Sequence, residues 1–248
     1  MFAHERQRKI LSLLEKERRV EVRGLLDLLG VSPATMRRDL TLLEQNDRLV
    51  RVHGGIVHPS DAANEPSFRE KSILAVKAKR AIGAAVAETI RPGATVFIDS
   101  GTTCLEAGRL LRSRQDLTII TNSLPLVATH EQFRARLLVL GGERRGVSGA
   151  LVGDLAMTSL SRLRADVALL GASALHHEDG AGSTELTETA VKRAWIARSR
   201  RTVLLAGAAK WSEHTMVSFA AWTEFDEFFT DRKPPSRLGA NGPKVVVA

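Results

Sequence analysis

From Lys77 onward, short apolar runs and charged, helix-patterned runs take turns along the chain. KAKRAIGAAVAETI reads as a helix and ATVFID as a strand; CLEAGRLLRSR is a helix and LTIITN a strand; LPLVATHEQF is a helix and RLLVLGG a strand. After an irregular SGALVGDLAMTSLSR come the strand DVALLGAS, the helix LTETAVKRAWIARS and the strand TVLLAG. The strand runs are apolar throughout instead of alternating, so both faces of each strand must be covered. Successive strands joined by helical crossovers pair in parallel. Residues 69–248 are therefore expected to form an α/β domain, a larger, mostly parallel sheet with helices on both faces.

Polar residues gather where these strands end: Asp99-Ser100-Gly101-Thr102-Thr103, Thr121-Asn122-Ser123, Gly141-Gly142, Gly171-Ala172-Ser173 and Lys210. In an open α/β sheet the carboxyl ends of the strands converge on one crevice, the usual place for a ligand. Ser100-Gly101-Thr102-Thr103 also opens a helix, whose free N–H groups and two threonine hydroxyls suit a phosphate or carboxylate. Lys210 offers a matching charge. Lys192 stands four residues after Glu188, a spacing that fits either a surface helix pair or part of a ligand clamp. Glycine-rich strand ends also serve as plain βα turns. Cys104 reads as a small buried hydrophobe, although a helix start could lower its pKa. His176-His177 beside Glu178 and Asp179 reads as a solvated loop and not as a metal site, so no metal or cofactor is expected.

The first sixty residues follow a different plan. Ile10, Leu13 and Leu14 mark one amphipathic helix, and Leu25, Leu28 and Leu29 a second, shorter one, with Gly30 suited to the left-handed position after its end. Ser32 fits as an N-cap with Pro33 at the first helical position. At 100° per residue, Met36, Leu40 and Leu43 form the buried stripe of the third helix, and Asp39 beside them reads as structural. Ala34, Arg38, Thr41 and Gln45 point the other way, with Arg37 on the shoulder. Long bidentate donors near a helix N-terminus suit a major groove, whereas the alternative reading is a solvated charged face. RLVRVHGGIVH then reads as a basic hairpin turned by Gly54-Gly55, a wing that places Arg48, Arg51 and His53 for phosphates or a minor groove. The expected DNA contacts are Ser32, Thr35, Arg37, Arg38, Thr41, Arg48, Arg51 and His53, within a winged helix-turn-helix domain spanning residues 1–58. The polar, Pro-containing stretch 59–68 reads as a linker.

Charge alone decides little. The net charge is +8, but residues 1–58 carry 11 Lys and Arg against 8 Asp and Glu, and the rest 25 against 20. No apolar run approaches the ~18–20 residues of a membrane span. The charged N-terminus lacks the apolar core of a signal peptide, and a single cysteine excludes an internal disulfide; these point to a cytoplasmic protein.

The stretch RQRKILSLLEKERRVEVRGLLDLLGVSPATMRRDLTLLEQNDRLVRVHGG closely resembles the N-terminal domain of the DeoR family of bacterial transcription regulators, whose signature pairs V-S-x-x-T-x-R-R-D-L with a later R-x-H-G-G. FIDSGTT, ITNS, LGG, LGAS, ETAVK and the late AKW resemble the family's sensor domain, and GPKVVVA its last short strand. That domain is related in fold to ribose-5-phosphate isomerase and glucosamine-6-phosphate isomerase. The resemblance implies a repressor of carbohydrate-metabolism genes, a homodimer or homotetramer on operator DNA, controlled by a phosphorylated sugar or polyol. It places the effector against Asp99, Ser100, Gly101, Thr102, Thr103, Thr121, Asn122, Ser123, Gly141, Gly142, Lys192 and Lys210. The chain departs from the family where Ser173 and Gly207 stand in positions that often hold Asp, so two carboxylates that would grip hydroxyls or act as acid or base are absent. The alternatives are a sugar-phosphate isomerase-like enzyme with a DNA-binding appendage, for which Asp99 is the only obvious base, and a sensor domain kept only for assembly.

Overall fold

A computed structural model describes residues 3–17, 19–46, 48–52, 55–57, 66–213, 215, 217–239 and 241–248. The chain divides into two compact units, Met1–Glu65 and Pro66–Ala248. Among the described residues no helix is long and apolar enough to cross a membrane.

The smaller unit runs α1 (Ala3–Glu17), β1 (Arg19–Glu21), α2 (Val22–Leu29), α3 (Pro33–Gln45), β2 (Val50–Val52) and β3 (Gly55–Val57). Ile10 and Leu14 of α1, Leu25 and Leu29 of α2, and Met36, Leu40 and Leu43 of α3 close over Leu49 and Ile56 as one core. Gly30 ends α2 at φ +60°, returning its N–H to the Leu26 carbonyl. A side chain there would strain the left-handed turn that reverses the chain into α3. Ser32 then caps α3, its hydroxyl accepting the Thr35 N–H at 3.3 Å, with Pro33 in the first turn. Asp39 is buried, as its position beside the apolar stripe implies. It accepts from Arg6 Nε at 2.8 Å and Gln7 Nε2 at 3.2 Å, fastening α3 to α1. Leu28 was expected in the core but is 64% exposed, because the narrow core takes Leu25 and Leu29 from this short helix and Leu26 at its edge. The wing has a strand more than the sequence suggests. β1, cut from the start of the second helical pattern, pairs antiparallel with β3, which also pairs with β2.

The larger unit begins earlier than the linker reading allowed. Ser67 caps α4 (Phe68–Ile73) in a capping box with Glu70, and Phe68 packs on the core, so both positions belong to the folded unit. Then come α5 (Val76–Glu88), β4 (Thr95–Ile98), α6 (Thr102–Leu111), β5 (Thr118–Thr121), α7 (Leu124–Val127), β6 (Arg136–Val139), and the short pair β7 (Glu143–Arg144) and β8 (Leu151–Val152). α8 (Asp154–Leu160), β9 (Ala165–Gly171), β10 (Ala174–His176), β11 (Gly180–Ser183), α9 (Leu186–Arg198) and β12 (Ser199–Leu205) follow. β13 (Val217–Ala220), β14 (Glu227–Thr230) and β15 (Lys244–Val247) complete the chain. The helix read over LPLVATHEQF is shorter than expected: Pro125 sits in its first turn, and after Val127 only a 3₁₀ turn at His130–Gln132 remains.

Seven strands form the main sheet in the order β15-β14-β12-β9-β4-β5-β6, and every pairing in it is parallel. Alternate strand residues feed two cores. Val96, Ile98, Ile119, Val167, Leu169, Val203 and Leu205 meet α5 and α6 on one face. Phe97, Ile120, Ala168, Leu170, Leu204 and Phe228 meet α8 and α9 on the other, where Trp195 stacks on Phe97 at 5.3 Å. Both faces are buried, which is why the strands read as unbroken apolar runs. The chain builds outward from β4 through β5 to β6, then returns to the other side of β4 with β9. The order therefore reverses between β4 and β9, the topological switch point at which ligands of open α/β sheets settle.

Candidate functional site

Two places carry the chemistry of the sequence motifs. In the smaller unit the outer face of α3 presents Arg37 and Arg38, both exposed, opposite the buried Met36–Leu40–Leu43 stripe. Thr41 is half-buried and donates to the Arg37 carbonyl at 2.8 Å; the Ser32 and Thr35 hydroxyls lie 3.0 Å apart at the helix start. Arg48 is exposed but stands elsewhere. It borders a cleft of about 490 Å³ with His4, Gln7, Arg8 and Leu11 of α1 and Leu43 and Asn46 of α3. Leu43 is part of the buried stripe, so Arg48 does not share a face with Arg38. Arg51 contributes its backbone to β2, while its side chain and all of His53 lie outside the described residues.

In the larger unit the structure builds the switch point around Asp99. Its carboxylate Oδ2 accepts the Gly171 N–H at 3.0 Å across the β4–β9 boundary and accepts Lys192 Nζ from α9. Lys192 donates a second bond to the Gly171 carbonyl at 2.9 Å, and its Nζ lies 5.2 Å from the Phe219 ring centroid. Lys192 and Asp99 are 5% and 2% exposed, and Glu188 is 7% exposed, which removes the surface-pair reading of Glu188 and Lys192. Burial pulls the Lys192 pKa down, but the charges of Asp99 and Glu188 and the bond to Asp99 outweigh it, and the net shift is upward. The one strand-end carboxylate that sequence offered as a base is thus tied into an ion pair.

The other polar strand ends divide by what they do. Thr121 donates its hydroxyl to the Ile98 carbonyl at 2.6 Å, and Ser123 caps α7 by accepting the Leu126 N–H at 3.3 Å. Asn122 donates through Nδ2 to the Leu151 carbonyl at 3.3 Å, while its buried Oδ1 meets no donor among the described residues. Gly142, at φ +132°, has no room for a Cβ, which would lie 2.4 Å from the Val152 carbonyl oxygen. It leads from β6 into β7, beside the end of β8, while Gly141 is exposed. Five neighbouring strands, from β12 to β6, span about 19 Å at the usual strand spacing. A small ligand centred on Asp99–Thr103 cannot reach both ends of that row.

α6 opens at Gly101 without a side-chain cap, and Gly101 and Thr102 are half-exposed while Ser100 and Thr103 are buried. α5 and α6 both pack antiparallel to β4 and so present their N-termini at the same end of the sheet. There α5 contributes a residue that sequence reading missed. Lys79 donates to the carbonyls of Lys71 and, at 2.7 Å, Leu74, just before a left-handed Ala75 (φ +49°). Burial lowers its pKa to about 8, helped by the charges of Lys210 and Lys71 and opposed by Glu106. Lys210 arrives on the 3₁₀ turn after β12, which Asp231 caps by accepting the Ala208 N–H at 2.6 Å. The pattern AVKAKRAIG holds three cations in one helix turn region, and nothing in it singles out Lys79 before the fold is known. Cys104 in the same helix is buried, and burial, with Asp99 nearby, pushes its thiol pKa well up, the opposite of what a helix start alone would do. His177 stacks on Trp211 at 4.7 Å and shares a hydrogen bond with Ser236.

A winged helix-turn-helix unit joined to a larger parallel α/β unit is the build of a DNA-binding regulator with a second domain. Residues 6–62 match the model of the DeoR-like helix-turn-helix domain and residues 74–232 that of the DeoR C terminal sensor domain, so the chain belongs to the DeoR family of transcription regulators. The glycerol-3-phosphate regulon repressor of Escherichia coli (strain K12) is 32% identical over 93% of this chain and 92% of its own length. An HTH-type transcriptional regulator of Haloferax volcanii is 32% identical over 93% and 91%. The putative aga operon transcriptional repressor of Escherichia coli O157:H7 is 32% identical over 94% and 87%. Among solved structures, ribose 5-phosphate isomerase A from Methanocaldococcus jannaschii aligns with 54% of this chain and 53% of its own at 15% identity, with a TM-score of 0.39.

Proposed function

We propose that this regulator is a repressor of carbohydrate-metabolism genes whose operator binding is controlled by a phosphorylated sugar or polyol held at the switch point. Arg37 and Arg38, with Thr35 and Thr41 on the same helix, read the major groove, and Ser32, Arg51 and His53 supply backbone contacts, while Arg48, off that face, is left out of the set. A single small head makes few contacts, so operator binding uses paired heads of a homodimer or homotetramer. The observation that carries the effector reading is the approach of Lys79 and Lys210, from positions far apart in sequence, close enough that the Lys210 charge adds to burial in lowering the Lys79 pKa. They gather at the end of the sheet where α6 presents its free N–H groups, an arrangement that suits a phosphate. Relatives named for glycerol 3-phosphate and for the aga operon support that class of regulated gene. Asn122 Oδ1 stands ready to accept from a ligand hydroxyl.

The test is a gel shift on the DNA flanking the chain's own gene, titrated with glycerol 3-phosphate and a panel of sugar phosphates at fixed salt. One of them is expected to release the DNA. Thr102→Asp puts a carboxylate at the phosphate position and should abolish that release while leaving operator affinity intact. A full response in Thr102→Asp would refute the site, and the absence of any response across the panel would favour a domain kept for assembly.

A further inference from the structure

The loop from Arg145 to Ala150 is bonded on two sides. Toward the crevice, Leu124 donates its N–H to the Gly149 carbonyl at 3.0 Å, Ala150 bridges Ser123, and Leu151 donates to the Asn122 carbonyl at 2.8 Å. On the other side, Phe68 donates its N–H to the Val147 carbonyl at 2.7 Å. Phe68 is the first residue of α4, and α4 is the first helix after Glu65, where the smaller unit ends. The same loop therefore touches both the strand end at Asn122 and the element at which the chain arrives from the DNA-binding unit.

Glu188 fixes the loop from beneath. Its buried carboxylate accepts from Arg145 Nη1 at 3.0 Å and from the Ser148 hydroxyl, and Ser148 Oγ in turn accepts the Ala150 N–H at 3.2 Å. Arg145 also faces Glu185 at 3.8 Å. One helical turn along α9 is Lys192, whose charge Glu188 feels and which holds Asp99. Replacing a whole buried ion pair by well-packed apolar residues is often neutral for stability, so stability alone is a weak reason for this arrangement. What the carboxylate supplies is position: it sets Arg145 and Ser148, and between them Val147, relative to the Lys192–Asp99 pair.

We infer that Glu188 is a positioning residue that couples occupancy of the crevice to the start of α4, by way of Arg145, Ser148 and the Val147 carbonyl. The inference rests on the crevice being the effector site. An anion settling on α6 beside Asp99 shifts the Asp99–Lys192 pair, and with it the charge that Glu188 shares between Lys192 and Arg145. The loop re-seats, and the Phe68 bond strengthens or loosens. A ligand acts on the DNA-binding unit only through such a difference between two arrangements.

The test uses the full chain, with hydrogen exchange read by mass spectrometry and glycerol 3-phosphate and inorganic phosphate as probes. In the wild type a probe that slows exchange at residues 99–105 should also change it at 66–72 and 145–150. In Glu188→Gln the response at 99–105 is expected to persist, that at 66–72 to vanish, and operator affinity without probe to stay as it was. The probe-dependent change in operator affinity, expected at about fivefold or more in the wild type, should disappear. Ser148→Ala, a milder change, repeats the measurement should Glu188→Gln fold poorly. Protection at 99–105 without any change at 66–72 in the wild type would overturn the coupling and leave the effector reading standing, as would an undiminished 66–72 response in both variants. No change at 99–105 with either probe would remove the effector reading and the coupling together.

Discussion

Replacing Asp99 by Asn isolates the one buried ion pair at the switch point. The amide keeps the shape and can still accept the Gly171 N–H, but it withdraws the negative charge against which Lys192 is buried. What is left is an ammonium in a site 5% exposed, compensated by the Gly171 carbonyl, the Phe219 ring face and the more distant Glu188. Removing one partner of a buried pair costs about 3–5 kcal/mol. For a unit the size of Pro66–Ala248, each kcal/mol moves the midpoint by roughly 2–4 °C, so Asp99→Asn should melt about 6–20 °C lower. All three tryptophans, Trp195, Trp211 and Trp222, lie in this unit, so intrinsic fluorescence follows its unfolding without a signal from the head. The Lys192 pKa is raised in the fold, so the stability its charge contributes is complete below the unfolded pKa and is lost only as pH rises through the folded one. In Asp99→Asn burial is no longer opposed by the Asp99 charge and pulls the Lys192 pKa down, so the deficit should be largest at low and neutral pH and shrink as pH rises toward the ordinary lysine range. Adding Lys192→Met should restore part of the loss, because the stranded charge leaves with it. A single-variant midpoint within about 2 °C of the wild type, less than about 1 kcal/mol, would refute the account of this pair.

Arg38→Ala should weaken operator binding by about 1–3 kcal/mol if the guanidinium forks onto a base, read by fluorescence anisotropy at fixed salt; unchanged affinity would count against the outer face of α3. Effector affinity should fall as pH rises through about 8, where Lys79 loses its proton, and Lys79→Met should bind more weakly at neutral pH and flatten that profile, measured by calorimetry across buffers. The same depressed pKa means that the folded chain binds fewer protons than the unfolded one between its folded and ordinary values, so this group makes stability rise with pH in that window. Gly142→Ala should destabilise the larger unit by about 1–3 kcal/mol from backbone strain alone, with the 2.4 Å approach to the Val152 carbonyl adding to it; a midpoint equal to the wild type would mean the β6–β7 connection relaxes freely.

How much of this was legible in the sequence depended on the distance over which each interaction acts. The outward arginines of α3, the Ser32 cap and the left-handed Gly30 are local, set by helical period and backbone sterics, and they stand where the pattern puts them. The parallel sheet was legible because strands covered on both faces must be apolar at every position. β1, by contrast, was hidden in a run that also suits a helix, since Val20 and Val22 fit either period and only pairing with β3 decides. The burial of Lys192 could not be read either. Glu188 and Lys192 at one-turn spacing look like a solvated pair until Asp99, 93 residues away in sequence, is brought beneath them. Lys79 was missed for the same reason: its partners Lys210 and Glu106 come from other elements, and its carbonyl acceptors exist only because Ala75 turns left-handed.

Ser173 and Gly207 leave the crevice short of two carboxylates that the family often has, and the fold decides what that does to its field. The acidic groups that remain nearby are already engaged. Asp99 is paired with Lys192, Asp231 accepts the Ala208 N–H, and Glu106 faces Arg109 at 2.6 Å and Arg80 at 3.6 Å. On the positive side, Lys79, lowered to about 8 by burial and then by the Lys210 charge, lies at the end of the sheet where α6 starts without a side-chain cap. A lysine whose protonation is held down by burial and by a neighbouring cation is relieved by a bound anion, so ligand binding at this end of the sheet should draw in a proton at Lys79. Fewer carboxylates also mean fewer fixed acceptors for hydroxyl groups. Discrimination among ligands then rests on the phosphate and on the buried Asn122 Oδ1, which meets no donor among the described residues. On that basis the site should favour a short phosphorylated polyol over a hexose phosphate, and a ranking of the two by calorimetry in the reverse order would show that the hydroxyls are held by groups other than these.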